Sequence, residues 1–224
     1  MYIEVNNVKL YYEVFGKGKP IILLNPNSVN TNCMSFISNK LSKDFMVYKL
    51  DRRGCGKSDR NCMLNYEEEA KDIYEFITKL NLDKPYLLGS SGGAIVALTV
   101  AVNYLDSISK LVTCSGVARM SVISKPTYAK VLEKIPWYPG KKDNEKYEKL
   151  NNTTKDIQIS MLNNIKVPTL VVNGGKKDIV PEEEAKYIAE GIKDSKLLIL
   201  EKENHFSYMI NCNWYDELKN FLDS

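Results

Sequence analysis

The sequence predicts an α/β protein with a mostly parallel central sheet. Three observations lead to this prediction: short apolar runs recur along the chain, stretches with helical spacing separate them, and most runs are almost continuously hydrophobic. Continuous hydrophobicity is typical of parallel strands, which are buried on both faces of their sheet. The chain has 224 residues, of which 44% are hydrophobic, and this is enough for one substantial core. We therefore expect a single domain over residues 1–224.

An antiparallel hairpin is expected at the start of the sheet. The β-forming runs Ile3–Val5 and Lys9–Phe15 flank Asn6-Asn7, and asparagine tolerates the positive φ angles of a tight hairpin turn. Six further strands are predicted from short apolar runs: Ile21–Leu24, Phe45–Leu50, Tyr86–Gly89, Lys110–Cys114, Thr169–Asn173 and Lys196–Leu200. The sheet is thus expected to be parallel after the hairpin.

Four helices are predicted between and after these strands. The first has an apolar stripe at spacings of three and four, opposite a charged face. The stripe consists of Ala70, Ile73, Tyr74, Ile77 and Leu80, and the charged face includes Glu68, Lys71, Asp72 and Lys79. A second helix opens after Gly92 and is apolar nearly all round, so it should be buried against the sheet. The last two run from Pro181, whose three following glutamates suit a first turn, to Gly191, and over Trp214–Leu222.

The segment from residue 117 to residue 166 interrupts this alternation. It holds several prolines around Trp137 and Tyr138, a charged run over Lys141–Lys149, and no pattern typical of a strand. Helical spacing is present near residues 128–135. We therefore expect a short helical cap or lid inserted within the single domain.

Composition excludes several classes of partner. Lys plus Arg number 31 and Asp plus Glu number 28, and no basic stripe offers a footprint for nucleic acid or an anionic membrane surface. No apolar run reaches the roughly 20 residues that span a bilayer, and no signal-peptide pattern is present. The 5 cysteines are widely spread without a CxxC pair, which favours reduced thiols. We therefore expect a cytoplasmic protein with no membrane span and no nucleic-acid partner.

The densest chemical signal is Gly89-Ser90-Ser91-Gly92-Gly93, between a predicted strand and a predicted helix. At such a turn the central serine takes strained backbone angles, and small neighbours let the helix pack closely while the Ser91 hydroxyl projects at the sheet edge. The N–H of Gly92 and the positive end of the helix dipole then point to one spot, where an oxyanion would be stabilised. A phosphate-binding turn is the alternative, but GxGxxG and the lysine-bearing P-loop are both absent.

A serine hydroxyl is a weak nucleophile until a base takes its proton. His205 is the one histidine of the sequence. A single imidazole cannot build a His-rich metal site, so no metal is expected. His205 follows the last predicted strand after a short polar stretch, at the strand end where open parallel sheets place their sites. The base needs an orienting carboxylate, and Asp178 lies in the loop that leaves the strand Thr169–Asn173. The order along the chain is Ser91, Asp178, His205.

These segments together resemble the α/β-hydrolase superfamily, which has the same order of nucleophile, acid and base. The Gly89–Gly93 segment resembles its nucleophile elbow, and Asp51–Asp59 resembles its Asp-x-Arg-Gly-x-Gly-x-Ser loop. Residues 167–181 are similar to its acid-bearing segment, and Asn204–Phe206 to its histidine loop. The resemblance covers nearly the whole chain outside the insertion. It implies the α/β-hydrolase fold, with helices on both faces of the sheet and a small helical cap.

The resemblance also implies a second oxyanion donor. In the family, the residue after a His-Gly pair that follows the third strand donates its backbone N–H, and the corresponding residue here is Asn27. Asn25-Pro26 stands in place of the pair, and proline has no N–H and a fixed φ. The loop therefore departs from the family pattern, and the Asn27 side-chain amide and Ser28 are alternative donors.

The sequence predicts a serine hydrolase that cleaves an ester, thioester or related acyl bond of a small molecule. The expected nucleophile, base and orienting acid are Ser91, His205 and Asp178, and the expected oxyanion donors are Gly92 and Asn27. No cofactor is expected. Two alternatives remain open: a proline iminopeptidase-like peptidase, which the small insertion disfavours, and a binding or signalling protein with weak hydrolysis, which Pro26 motivates. Monomer and homodimer are equally open.

Overall fold

The structure is a computed structural model, and it describes residues 1–123 and 144–224. In these residues eight strands form one sheet: β1 Tyr2–Val5, β2 Val8–Phe15, β3 Pro20–Leu24, β4 Met46–Asp51, β5 Tyr86–Ser90, β6 Lys110–Cys114, β7 Thr169–Asn173 and β8 Ser195–Ile199. Every predicted strand is present, and each end lies within one residue of its expected position.

The strands follow the order β1-β2-β4-β3-β5-β6-β7-β8 across the sheet. The pairs β1/β2 and β2/β4 are antiparallel, and all the other pairs are parallel. In the turn between β1 and β2, Asn6 and Asn7 have φ angles of 43° and 60°, which the sequence pattern required. The predicted parallel sheet with an antiparallel start is confirmed. The carboxyl ends of its parallel strands share one edge, where the following loops meet.

The helices are α1 Ser35–Leu41, α2 Tyr66–Lys79, α3 Gly92–Asn103, α4 Asn144–Thr153, α5 Ile159–Leu162, α6 Glu182–Gly191, α7 Ser207–Asn211 and α8 Tyr215–Asp223. Four of them, α2, α3, α6 and α8, are the helices predicted outside the insertion. The segment of α3 from Gly92 to Ala101 is buried, as its all-round apolar sequence requires.

The apolar residues form a core on each face of the sheet. Successive residues of β3 alternate between the two cores: Ile22 and Leu24 pack with α2, α3 and α6, whereas Ile21 and Leu23 pack with α1, α7 and α8. This alternation is the period of two that a strand imposes on its side chains. Trp214, fully buried at the start of α8, donates from Nε1 to the Tyr208 carbonyl at 2.9 Å.

The charged face predicted for α2 is wrong at one position. Asp72 is 1% exposed and forms a buried ion pair with Arg53, whose Nε and Nη2 lie 2.6 and 2.5 Å from its two carboxylate oxygens. Tyr74, assigned to the apolar stripe, is 40% exposed and stacks on Tyr104. Asp72 is buried because the loop after β4 brings the cation of Arg53 against α2, so burial at this position does not follow hydrophobicity.

The described parts of the 117–166 insertion comprise a short 3₁₀ turn at Met120–Val122 and the helices α4 and α5. Glu184 of α6 anchors the first residues of the insertion, because its carboxylate accepts hydrogen bonds from the N–H groups of Ala118 and Arg119. The helical spacing predicted near residues 128–135, together with Trp137 and Tyr138, lies outside the described residues. None of the described helices combines the length and hydrophobicity needed to cross a membrane.

The buried Arg53–Asp72 pair provides a test of the role of α2 in stability. Replacing one partner leaves an uncompensated buried charge, which costs about 3–5 kcal/mol. We therefore expect Asp72→Ala to lower the free energy of unfolding by about this amount in urea titrations. Glu67→Ala, which removes an exposed carboxylate from the same helix, is the control and should cost less than about 1 kcal/mol. Equal effects of the two substitutions would contradict this account of the pair.

Candidate active site

The turn between β5 and α3 holds Ser91 in a strained conformation, with φ 53° and ψ −120°. Glycines allow this turn because side chains would collide there. A methyl group on Gly89 would lie 2.2 Å from the Gly93 carbonyl oxygen, and one on Gly93 would lie 2.3 Å from the Leu24 carbonyl oxygen. The Ser91 N–H donates to the Cys114 carbonyl at 2.8 Å, which ties the turn to β6. The serine is thus fixed at the carboxyl edge of the sheet.

Three residues predicted as a catalytic set lie in hydrogen-bond contact. His205 Nε2 is 3.0 Å from Ser91 Oγ, and His205 Nδ1 is 2.7 Å from Asp178 Oδ1. Because an ionised carboxylate can only accept hydrogen bonds, Nδ1 carries the proton and Nε2 faces the serine hydroxyl as an acceptor. The loops after β5, β7 and β8 supply one residue each.

The Asp178 carboxylate is buried and fully hydrogen-bonded. Besides His205, Oδ1 accepts from the Val180 N–H at 3.0 Å, and Oδ2 accepts from Ser115 Oγ at 2.5 Å and the Gly174 N–H at 2.9 Å. Burial alone would raise the pKa of Asp178, but the neighbouring His205 and these hydrogen bonds outweigh it and hold the pKa below its usual range. Asp178 therefore stays ionised at neutral pH and can stabilise an imidazolium.

Glu203 holds the loop that carries His205, and the sequence did not single it out. Its buried carboxylate accepts hydrogen bonds from Ser207 Oγ at 2.5 Å, Asn211 Nδ2 at 2.8 Å and Asn213 Nδ2 at 3.0 Å. The asparagine and serine side chains that follow Glu203 in the sequence are possible hydrogen-bond donors to its carboxylate. They reach it only because the short helix α7 turns the chain back towards Glu203.

The expected oxyanion donors lie at the same pocket as Ser91. Gly92 and Asn27 both line it, and Ser28 does not. The Asn27 side chain is held from two sides, because Oδ1 accepts from Arg52 Nη2 at 2.8 Å and Nδ2 donates to Tyr66 Oη at 2.9 Å. The orientation of its side-chain amide is therefore held by these two contacts. Within residues 1–123 and 144–224, neither the Gly92 nor the Asn27 backbone N–H meets an acceptor.

The pocket above Ser91 is small and carries no charged side chain among the described residues. It is narrow and partly open to solvent. Its lining comprises Asn27, Tyr66, Ser91, Gly92, Ile95, Ser115, Val117, Ile123, Asn151 and Val180. The described lining therefore combines apolar groups with neutral hydrogen-bonding groups.

Two neighbours of these residues, Cys114 and Phe206, do not line the pocket. Cys114 is fully buried, and burial raises the pKa of its thiol well above the usual range, as is typical of a structural thiol. Phe206 packs edge-on against His205, with ring centroids 5.1 Å apart, and does not line the pocket. In the described part of the chain, no three His, Cys, Asp or Glu side chains converge as metal ligands would.

Comparison with known sequences matches residues 20–157 to a family described as the alpha/beta hydrolase fold. The protein "Serine hydrolase BPHL" of Mus musculus is 28% identical over 91% of this chain and 79% of the relative. "N-formylmaleamate deformylase" of Pseudomonas putida is 30% identical over 61% of this chain and 50% of the relative.

Solved structures share the fold across the whole chain. The enol-lactonase from Burkholderia xenovorans has a TM-score of 0.82 at 20% identity and covers 100% of both chains. An esterase from Exiguobacterium antarcticum has a TM-score of 0.83 at 24% identity and covers 100% of this chain and 99% of its own. At these identities the likeness establishes the fold of this chain.

The hydrogen bond from Ser115 to Asp178 leads to a prediction about pH. Ser115→Ala removes a donor to a charged acceptor, so the pKa of Asp178 should rise and the free energy of unfolding at pH 7 should fall by roughly 1.5–3 kcal/mol. A carboxyl group with a lower pKa in the folded than in the unfolded protein stabilises the fold at pH values above its unfolded-state pKa. This stabilisation is lost as the pH falls. The difference between wild type and variant, measured by urea unfolding, should therefore shrink below about pH 4. Ser121→Ala is the exposed control, and a loss independent of pH would contradict the assignment.

Proposed function

Because the chain belongs to the alpha/beta hydrolase fold family, we propose that it is a serine hydrolase that cleaves an ester, thioester or related acyl bond of a small molecule. The observation that carries the proposal is the hydrogen-bonded series from Ser91 through His205 to Asp178, at the end of a strained strand-to-helix turn. The hydrolase names of the similar proteins support it. This arrangement activates a serine without a metal or an organic cofactor.

In the proposed first half-reaction, Ser91 Oγ attacks the acyl carbon and His205 Nε2 takes the serine proton. The imidazolium that forms is stabilised by the ionised Asp178, whose carboxylate accepts the hydrogen bond that Nδ1–H donates. When the tetrahedral intermediate collapses, Nε2 returns its proton to the leaving group, and an acyl-enzyme on Ser91 remains. Water then attacks this ester with the same base, which regenerates Ser91 and releases the acid.

The negative oxygen of the intermediate is proposed to rest on the backbone N–H groups of Gly92 and Asn27. Both residues line the pocket, and neither N–H is used within the described residues. The tether of the Asn27 side chain to Arg52 and Tyr66 supports this role, since it fixes the position of the backbone before substrate arrives. Pro26 lacks an N–H, but the donor needed here is the residue after it.

The lining of the pocket favours neutral acyl compounds over aminoacyl substrates. A peptidase that recognises a free amino terminus needs a carboxylate near the substrate ammonium group, and the described lining offers none. A binding or signalling protein with weak hydrolysis would not need a base poised on a strained serine. The esterase proposal therefore accounts for more of the geometry.

A fluorophosphonate probe tests the nucleophile directly. We expect the probe to label the wild-type protein at Ser91, located by peptide mass spectrometry, because the serine is activated by His205. Ser91→Ala should abolish labelling, whereas Ser121→Ala, the loss of an exposed serine, should leave it unchanged. If wild type and Ser91→Ala react alike, the serine hydrolase proposal is wrong.

Steady-state kinetics with short-chain p-nitrophenyl esters test the base and its orienting acid. His205→Ala should lower kcat by roughly 10⁴–10⁶-fold, since the members of such a set act as a unit. Asp178→Asn should lower kcat by roughly 10⁴-fold, because the amide favours the wrong imidazole tautomer. Retention of most activity by either variant would overturn the mechanism. Circular dichroism of both variants checks that the fold is kept.

A further inference from the structure

Asn151 occupies the buried face of α4, where an apolar residue would be the ordinary choice. Its helical neighbours at spacings of four and one, Tyr147 and Leu150, are buried, and Asn151 itself is 7% exposed. A polar side chain in such a position is costly unless its hydrogen-bonding groups are satisfied. The next residue along α4, Asn152, is exposed to solvent.

The amide of Asn151 is satisfied on one side only. Its Oδ1 accepts a hydrogen bond from Tyr66 Oη at 3.2 Å. Its Nδ2 has no acceptor among the residues that the structure describes, and Asn151 lines the same pocket as Ser91. With its oxygen facing Tyr66, the amide offers N–H donors, and no acceptor, to a ligand in the pocket.

We propose that Asn151 is a specificity-determining residue, which donates a hydrogen bond from Nδ2 to a neutral oxygen on the acyl part of the substrate. The inference rests on the proposed serine hydrolase function and narrows its substrate class. The preferred substrates are short acyl esters that carry an ether, hydroxyl or carbonyl oxygen along the acyl chain. A plain hydrocarbon chain would bury Nδ2 without a partner, and the site should discriminate against it.

The surroundings of Asn151 favour a neutral oxygen over a carboxylate. The described lining contains no cationic side chain. Arg52, a buried cation bonded to the pocket residue Asn27, already uses its guanidinium on the Asn25 carbonyl, on Glu69 and on Asn27 Oδ1. A carboxylate on the acyl chain would therefore meet no counter-charge in the described lining.

Matched ester pairs test the proposal, because an ether oxygen replaces a methylene group at nearly constant size. The pairs are p-nitrophenyl butyrate with p-nitrophenyl methoxyacetate, and p-nitrophenyl valerate with p-nitrophenyl 3-methoxypropionate, so that two positions of the oxygen are sampled. For each pair the measured quantity is the ratio of kcat/KM for the ether to that for the hydrocarbon. Dividing the wild-type ratio by that of a variant removes the intrinsic reactivity of the esters.

Asn151→Leu keeps the size of the side chain and removes its donor. We expect the ether preference of the wild type to fall by roughly tenfold to a hundredfold in this variant for at least one pair. Asn152→Leu makes the same replacement on the exposed face of α4 and should keep the wild-type ratio. Asn151→Ala is a second variant, and it should lose the preference in the same way if the leucine variant does not fold.

The outcomes separate this inference from the function on which it rests. If wild type hydrolyses the esters but both ratios agree within twofold with those of Asn151→Leu or Asn151→Ala, the role of Asn151 is wrong and the hydrolase proposal stands. If wild type neither hydrolyses any ester nor reacts with the fluorophosphonate probe, both proposals fail. Loss of the ether preference in Asn152→Leu as well would show that the helix, and not the Asn151 amide, sets the selectivity.

Discussion

The backbone of Ser91 is the constraint on which the site depends. A non-glycine residue at φ 53° and ψ −120° costs of order 1–3 kcal/mol and persists only where the surroundings determine it. Here they do, because β5 lies between β3 and β6 and α3 packs its buried N-terminal segment directly on them. Gly89 and Gly93 permit the close approach. The sheet thus stores strain at the residue whose hydroxyl must project into the pocket.

The loop after β3 is also held in a fixed position, although it lacks the family's His-Gly pair. Asn25 supplies the missing support: its Nδ2 donates to the carbonyls of Pro26 and Val29, and its Oδ1 accepts from the Arg52 N–H at 3.2 Å. Burial alone would lower the pKa of Arg52, but Glu69 more than compensates, so the guanidinium stays charged. Arg52 and Asn25 therefore hold this loop in place, although it contains Pro26.

Parallel strands and the order of the proposed catalytic residues could be predicted from sequence because they depend on local patterns. Continuous apolar runs indicate buried strands, and the five residues Gly-Ser-Ser-Gly-Gly are enough to indicate a strand-to-helix turn with an exposed serine hydroxyl. The burial of Asp72 could not be predicted, since its partner Arg53 lies 19 positions away and charge on a helix ordinarily indicates solvent. The same holds for Glu203 and Asn151, whose roles exist only once α7 and α4 have been placed.

The hydroxyl group of Tyr66 links the insertion to the loop after β3 that carries Asn27. Tyr66 Oη donates to Asn151 of α4 and accepts from Asn27 of the loop after β3, and Tyr147 of α4 lies 3.4 Å from the Cys55 thiol in the loop after β4. A substrate that displaced α4 would have to break these contacts or carry the loop with it. Because interiors are close-packed and transmit strain, a shift of α4 would also move the loop that holds Asn27. The proposed recognition of the acyl chain by Asn151 and the proposed oxyanion contact of Asn27 therefore depend on one buried hydrogen-bond series.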